Sequence, residues 1–502
     1  METSNRTKAI IVGYIIVALS SVSTFLLTHL YIKYLGMNDY GVYQMMNAIT
    51  QYILLFDFGI TTAVMRFRIA ALNEKDKTRD ENLLFHCITI IFVLILLVVA
   101  AGIIISIFIG NIYSSLTDVE VELCKKMMFF ITAQISTTLI QHFFVGILMS
   151  KEKYLVAKIV DLLRIVAKFV LVTILVVNIK SIMVIVYVDF GITILCTLIV
   201  ATIVLIRCPF TAKFHYFDSR LLGGLLFLMF SLLLQSVATY INNAADKTIL
   251  GVMLDKQAVA VYSLAITINA FFASIPNSMG SIFVPQATKM VLNKSSSSEL
   301  TDLVIKPGRF QFMFCGAVVA GFLLFGKYFM NLWAHETTGI AWTCTIILII
   351  PHLFPLVQNV CLSILTAMNK RLVRSLIVIG TSAINIIITI VLVNYIGLVG
   401  AAIGTAVSIV LGNIIIGNVY YKCFIGLEVF RMFKEIFRNT IWCIILASSI
   451  SASTLFIKCS DLTHLIIGVS SFCIVYAITL LLFGLNKKEK ALLLSLVKTR
   501  KK

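Results

Sequence analysis

The chain has 502 residues, 60% of them apolar and only 13% charged, about half the usual charged share. That balance excludes a cytosolic enzyme, a secreted disulfide scaffold and a disordered chain. The formal net charge of +18 would suit nucleic acid, but the positions of the basic residues assign it to membrane topology.

A spanning helix needs about 20 largely apolar residues, so the apolar content suffices for about fourteen. In chain order the runs predict spans at 10–32, 41–65, 83–110, 125–149, 155–177, 181–206, 221–250, 258–284, 310–332, 340–368, 372–395, 397–421, 437–457 and 462–485. The first run is too long for a signal-peptide core and is read as a retained span. The longest connection is expected at 285–309, too short for a soluble domain. Chemistry is therefore expected in or at the membrane, which disfavours a polymerase or glycosyltransferase. Eleven cysteines occur without C-x-x-C or zinc spacing. Most lie in apolar runs and read as buried thiols.

The basic residues test the span count. With the N-terminus placed in the cytoplasm, 31 of the 41 lysines and arginines fall on the cytoplasmic face and 7 on the other. Arg164, Lys168 and Lys247 lie inside spans. This is the positive-inside pattern, and it predicts cytoplasmic termini. The basic tail from Lys487 onward fits topology and anionic lipid rather than nucleic acid.

An internal repeat is visible. Ile147-Leu148 with Lys153-Tyr154-Leu155-Val156 recurs as Ile364-Leu365 with Lys370-Arg371-Leu372-Val373, 217 residues on. Asn178 recurs as Asn394, and Leu35-Gly36 with Val42-Tyr43 as Leu250-Gly251 with Val261-Tyr262. The shift is six spans, an even number, so the halves are parallel repeats. The expected domains are an N-terminal lobe at 1–210, a C-terminal lobe at 211–425, and two further helices with a basic tail at 426–502.

Charged residues within a membrane usually face a cavity or a partner. His29 and Lys33 share one face of span 1 near its outer edge, either as an interfacial anchor or as a cationic rim for an anion. In span 5, Asp161, Arg164 and Lys168 share a face, with Asp161 expected to pair with Arg164 and Asp189 available to Lys168. Asp57 lies deep in span 2, where it needs a partner. Arg66 and Arg68 close that span, and Arg68 reads as an ordinary positive-inside residue. In span 7, Gln235, Thr239, Asn242 or Asn243, and Asp246 follow helical spacing beside Lys247. That stripe suggests a wet cavity or hydrogen bonding between helices. Asp246 could neutralise Lys247 or Lys33. No G-x-x-x-x-G-K, H-E-x-x-H or G-x-S-x-G occurs, so no ATPase, metal or hydrolase chemistry is read.

LGMNDYGVYQ (Leu35–Gln44), DFGITTAVMRF (Asp57–Phe67), Asp246-Lys247 with Leu250-Gly251, and Gly397, Gly400, Ala401 and Gly404 together resemble the polysaccharide transporter family. These are flippases for lipid-linked oligosaccharides, grouped with multidrug and toxin extrusion exporters and lipid II flippases. The departure is in span 1. Lipid II flippases carry arginines there, whereas this chain offers His29 and Lys33. The resemblance implies an all-α polytopic protein with two six-helix lobes in a V and alternating access. It implies an undecaprenyl-diphosphate-linked repeat unit as substrate, in a bacterial inner membrane. It implies no catalytic residue, cofactor or metal, and polysaccharide polymerases and glycosyltransferases as partners. Lys33, Lys168, Lys247 and Arg66 would meet the diphosphate. Gln235, Asn242, Asn243 and Asn269 would meet the glycan. Asp57, Asp161, Asp189 and Asp246 are the candidates for coupling to a proton or sodium ion. A drug or cation antiporter of the same fold and a lipid II flippase are the alternatives.

Overall fold

The computed structural model describes the backbone of residues 2–74, 76–280, 283–334, 338–368, 370–456, 460–486 and 489–490. Among these the chain is all-α, with no strand. Packing divides it into two compact units, Met1–Ser263 and Leu264–Lys502.

The first unit holds α1 (Glu2–Ile53), α2 (Ile60–Asn73), α3 (Lys77–Ile112), α4 (Asp118–Ser150), α5 (Tyr154–Ile179), α6 (Met183–Arg207), α7 (Ser219–Met253) and the start of α8 (Lys256–Gly280). α5 and α7 both pack along α1, and α4 lies against α2, α3 and α6. α1 is two helices joined at a kink, where Gly36 adopts φ 85°, ψ 167°. Only glycine adopts that conformation readily, so this residue separates the first two expected spans. Gly41 is fixed by space: a Cβ there would stand 2.0 Å from the Lys256 carbonyl oxygen. A second break follows Ile53. One 3₁₀ turn covers Leu54–Asp57, and Phe58 and Gly59 are left-handed before α2 begins.

The second unit continues with α9 (Val284–Leu292), α10 (Ser297–Ala334), α11 (Thr338–Val357), α12 (Asn359–Ala367), α13 (Arg371–Ile396), α14 (Leu398–Ile409), α15 (Gly417–Tyr420), α16 (Val429–Phe437), α17 (Thr440–Ser451) and α18 (Asp461–Thr479). α10 is its spine, packing on α11, α16, α17 and α18. The expected 285–309 loop is a correction: α9 and the first turns of α10 occupy most of it. Pro285 sits at the start of α9, where its missing N–H costs nothing.

Eleven helical stretches among the described residues are long and apolar enough to cross a membrane, and a shorter apolar helix covers Ser219–Leu234. The protein is a multi-pass membrane protein. The difference from about fourteen lies at three places. Ile11–Asn73 counts as one stretch although it contains both breaks. α5 is interrupted by Lys158, Asp161, Arg164 and Lys168. α7 contributes Ser219–Leu234, the part over which its described residues are continuous. Of the ten described cysteines, eight are buried and none is in a disulfide.

Candidate functional site

The first unit gathers most of the intramembrane charge. Its polar core begins on α1, where Tyr31 precedes the Gly36 kink and Tyr40, Tyr43, Gln44 and Asn47 follow it. Tyr31 packs edge-on against Tyr43, with ring centroids 5.6 Å apart. Both tyrosines lie within electrostatic reach of Asp189 on α6. Asp189 receives the Lys168 ammonium of α5 at 2.8 Å. The pairing of Lys168 with Asp189 is thus in place, and a tyrosine pair flanks it.

Arg164 is a correction. It does not meet Asp161. Its Nη2 donates to Gln141 Oε1 at 3.2 Å and to Thr193 Oγ1 at 3.0 Å. Asp161 accepts from Lys158 at 3.3 Å, one turn toward the start of α5 and half-exposed. α4 and α6 both pack on α5, and each supplies one neutral acceptor to Arg164.

Lys247 on α7 is 9% exposed, and its ammonium donates to Gln44 Oε1 at 2.9 Å. Gln44 in turn donates to the Tyr40 hydroxyl at 2.9 Å. Lys247 has no ion pair among the described residues, so Asp246 does not neutralise it. Asp246 is 2% exposed and accepts from the Tyr262 hydroxyl of α8 at 2.6 Å. Adjacent residues on a helix point about 100° apart, which separates the two side chains.

Asp57 has found its partner. His142 Nδ1 of α4 lies 2.7 Å from Asp57 Oδ1, and both side chains are part-exposed. Thr61, the second residue of α2, donates to the His142 carbonyl at 3.1 Å. The Phe58–Gly59 break aims Asp57 at α4. Gly59 is also pressed by α7, since a Cβ there would stand 2.6 Å from Leu232 Cδ1. Neither His142 nor the tyrosines are among the site residues read from the sequence, although Tyr40 and Tyr43 lie in its Leu35–Gln44 motif. The spacing of Tyr40, Tyr43 and Gln44 on one helix was the available signal.

Two basic residues of span 2 part company. Arg68 is 1% exposed and donates to Asp80 of α3 at 3.1 Å, which corrects its reading as an ordinary positive-inside residue. Arg66 is exposed and has no hydrogen bond or ion pair among the described residues. Lys33 is exposed, with its ammonium 5.6 Å from the Tyr34 ring centroid, and His29 is part-buried. The side chains of Gln235, Thr239, Asn242 and Asn243 lie outside the described residues.

A family model described as "Polysaccharide biosynthesis protein" matches residues 7–291. The chain belongs to that family. No curated protein matches it by sequence. Among solved structures, a lipid II flippase MurJ in an inward closed conformation is 16% identical, covering 93% of this chain and 98% of its own, with a TM-score of 0.71. An inward-facing multidrug resistance MATE transporter of the MOP superfamily is 15% identical over 81% of this chain and 94% of its own, with a TM-score of 0.69. A MOP superfamily transporter from Pyrococcus furiosus is 15% identical over 85% and 96%, with a TM-score of 0.55. The fold of this family member is therefore that of the MurJ and MATE structures.

The second unit of this family member carries fewer charges in its helices. Asn269 Oδ1 lies 2.9 Å from His352 Nδ1 of α11. Arg374 donates to the Gly412 carbonyl at 3.2 Å and to the Asn413 side chain. Asn385 and Thr389 of α13 are buried and bonded to each other.

Proposed function

We propose that this protein flips an undecaprenyl-diphosphate-linked oligosaccharide across a bacterial inner membrane by alternating access. The repeat unit would be of O-antigen, capsule or exopolysaccharide type. The moving parts would be the lobes 1–210 and 211–425, with both termini cytoplasmic. The chain would act as a transporter and not as an enzyme, beside polysaccharide polymerases and glycosyltransferases.

The family supports a place in polysaccharide biosynthesis. One observation carries the choice of an anionic substrate. Among the described residues, Arg164 and Lys247 sit within the expected spans on neutral hydrogen-bond partners, an amide and a hydroxyl for one and an amide for the other. A cation held in a membrane by neutral groups is costly, and an anion that visits it offsets that cost. A diphosphate would be such an anion, while the hydroxyls of Tyr31 and Tyr43 and the amide of Asn47 suit a glycan. The prenyl chain would remain in lipid.

Coupling to a proton would fall to Asp57 with His142, because that pair joins two titratable groups and is part-exposed. Asp161, Asp189 and Asp246 are the other candidates. Collapsing the proton and sodium gradients in vesicles should slow flipping, and unchanged flipping would remove the coupling.

The test of the function is complementation. The gene is deleted in its host, surface polysaccharide is stained, and lipid-linked intermediates are extracted. Loss of surface glycan with complete repeat units held in the inner leaflet is the expected result. Restoration by wild type but not by Lys247→Ala or Lys168→Ala at normal protein level would place those residues on the path. Unchanged glycan with altered sensitivity to cationic compounds would instead favour a drug antiporter. Arrest of cell-wall synthesis would favour a lipid II flippase.

A further inference from the structure

α2 and α7 run side by side in the first unit, and a cavity of about 440 Å³ opens between them. Arg66, Phe67 and Ala70 line it from α2, and Gly224, Phe227 and Ser231 from α7. Among the described residues, Arg66 is the one charged residue in that lining. Its neighbour Arg68 is already taken by Asp80, whereas the Arg66 guanidinium has no protein partner among the described residues.

The rest of the described lining is apolar apart from Ser231, and within it Ala70 and Phe227 are exposed. Phe227 is 77% exposed, and Phe230, one turn on, is 55% exposed. The helices approach closely because of Gly224, where a Cβ would stand 3.2 Å from the Phe67 ring. Arg66 lies seven residues before the end of α2, about 10 Å from it at 1.5 Å per residue. On the proposed topology that end is cytoplasmic, so the guanidinium stands near the level where lipid phosphates meet acyl chains.

We propose that this cleft binds a lipid phosphate from the cytoplasmic leaflet. The Arg66 guanidinium holds the phosphate by paired charge-assisted hydrogen bonds. Ser231 adds one hydroxyl, and the hydrocarbon chain lies along Phe227 and Phe230. A prenyl diphosphate and a phospholipid headgroup share this chemistry. The proposal rests on the topology put forward under the proposed function, and it deepens that reading by giving the substrate a lateral entry point outside the polar core.

The experiment is direct binding to the purified full chain in micelles, read by native mass spectrometry and by titration. Farnesyl diphosphate is the probe, with inorganic pyrophosphate and phosphatidylglycerol as competitors. Arg66→Ala should weaken farnesyl diphosphate binding at least tenfold, and Arg66→Lys should recover most of it. Ser231→Phe, which fills the cleft and keeps the cation, should weaken it as well. Both positions are accessible, so unchanged melting of each variant is the check on folding. Phosphatidylglycerol competing on equal terms would support the cleft with a headgroup as its occupant. Pyrophosphate displacing the probe as well as a lipid does would overturn the lipid part. Equal binding by Arg66→Ala and wild type would overturn the site. Because the readout is binding, a protein that binds here and yet complements no glycan defect would sink the proposed function and leave this site standing.

Discussion

The Lys153 ammonium donates to the backbone carbonyl of Arg207 at 2.9 Å, closing the end of α6 onto the start of α5. The same bond recurs 217 residues on, from Lys370 to the Phe424 carbonyl, also at 2.9 Å. α5 and α13 have the same length and the same offset, Tyr154–Ile179 and Arg371–Ile396. Both end on a residue with positive φ, Lys180 in one and Gly397 in the other. Asn178 and Asn394 each donate back one turn to a helix carbonyl. A lysine on terminal helix carbonyls stabilises by about 0.3–1 kcal/mol. Lys153→Met and Lys370→Met should each lower the melting temperature slightly, and their effects should add, because distant sites do. A double variant that loses far more than the sum would refute independent repeats.

The two motif glycines near the start of the chain should fail for different reasons. Gly36→Ala forces a side chain into a conformation that costs about 1–3 kcal/mol. Gly41→Ala drives a methyl group into the Lys256 backbone, which cannot swing away as a side chain can. The Gly41 variant should therefore be the less stable, as read by thermal unfolding in detergent. The opposite order would mean that the kink, rather than the close approach, limits the fold.

Much of this was legible in the sequence because the bilayer imposes strong rules. The apolar stretches and the repeat offset follow from length and spacing, and the Leu35-Gly36 motif lies between the first two expected spans, whereas the break at Leu54–Gly59 falls inside an expected span and gave no such signal. Partners were harder to read. Spacing showed that Asp161 and Arg164 share a face, yet Arg164 turns to Gln141 and Thr193 on two other helices. Helical periodicity names a face and not the neighbour across from it. His142 was missed for the same reason: a single histidine in an apolar run gives no periodic signal, and its role depends on Asp57, 85 residues earlier.

Lys168 and Lys247 should respond in opposite ways to neutralisation. Lys168→Met strands the Asp189 carboxylate, so stability should drop. Adding Asp189→Leu should restore much of it, since removing both members of an ion pair costs less than removing one. Lys247 has an amide partner and, among the described residues, no carboxylate. Lys247→Met should therefore leave the melting temperature unchanged or raise it while transport falls, the trade-off expected of a charge kept for function. A Lys247→Met protein as unstable as Lys168→Met would show that this ammonium is structural.

The end of the chain carries an acid-sensitive clasp. Arg309 of α10 is 3% exposed and donates to Glu489 at 2.7 and 3.2 Å. It also donates to the Glu435 carbonyl at 2.6 Å and the Gly484 carbonyl at 3.2 Å, tying α10 to the ends of α16 and of the α18 segment. Burial pushes the Glu489 carboxyl up, but the Arg309 hydrogen bond, the Asn486 N–H and the Arg309 charge outweigh it and hold the group below its ordinary value of 4.5. A carboxyl lowered on folding adds stability that is fully present above that ordinary value and disappears as the pH falls through the lowered one. Protease protection of the segment after Gly484 should thus be constant at neutral pH and fall below about pH 4. Glu489→Gln should remove the charge at every pH, giving a segment that is cleaved faster at pH 7 and shows a flatter pH response. Equal protection of the two proteins at pH 7 would mean that the Arg309 carbonyl bonds alone hold the end in place.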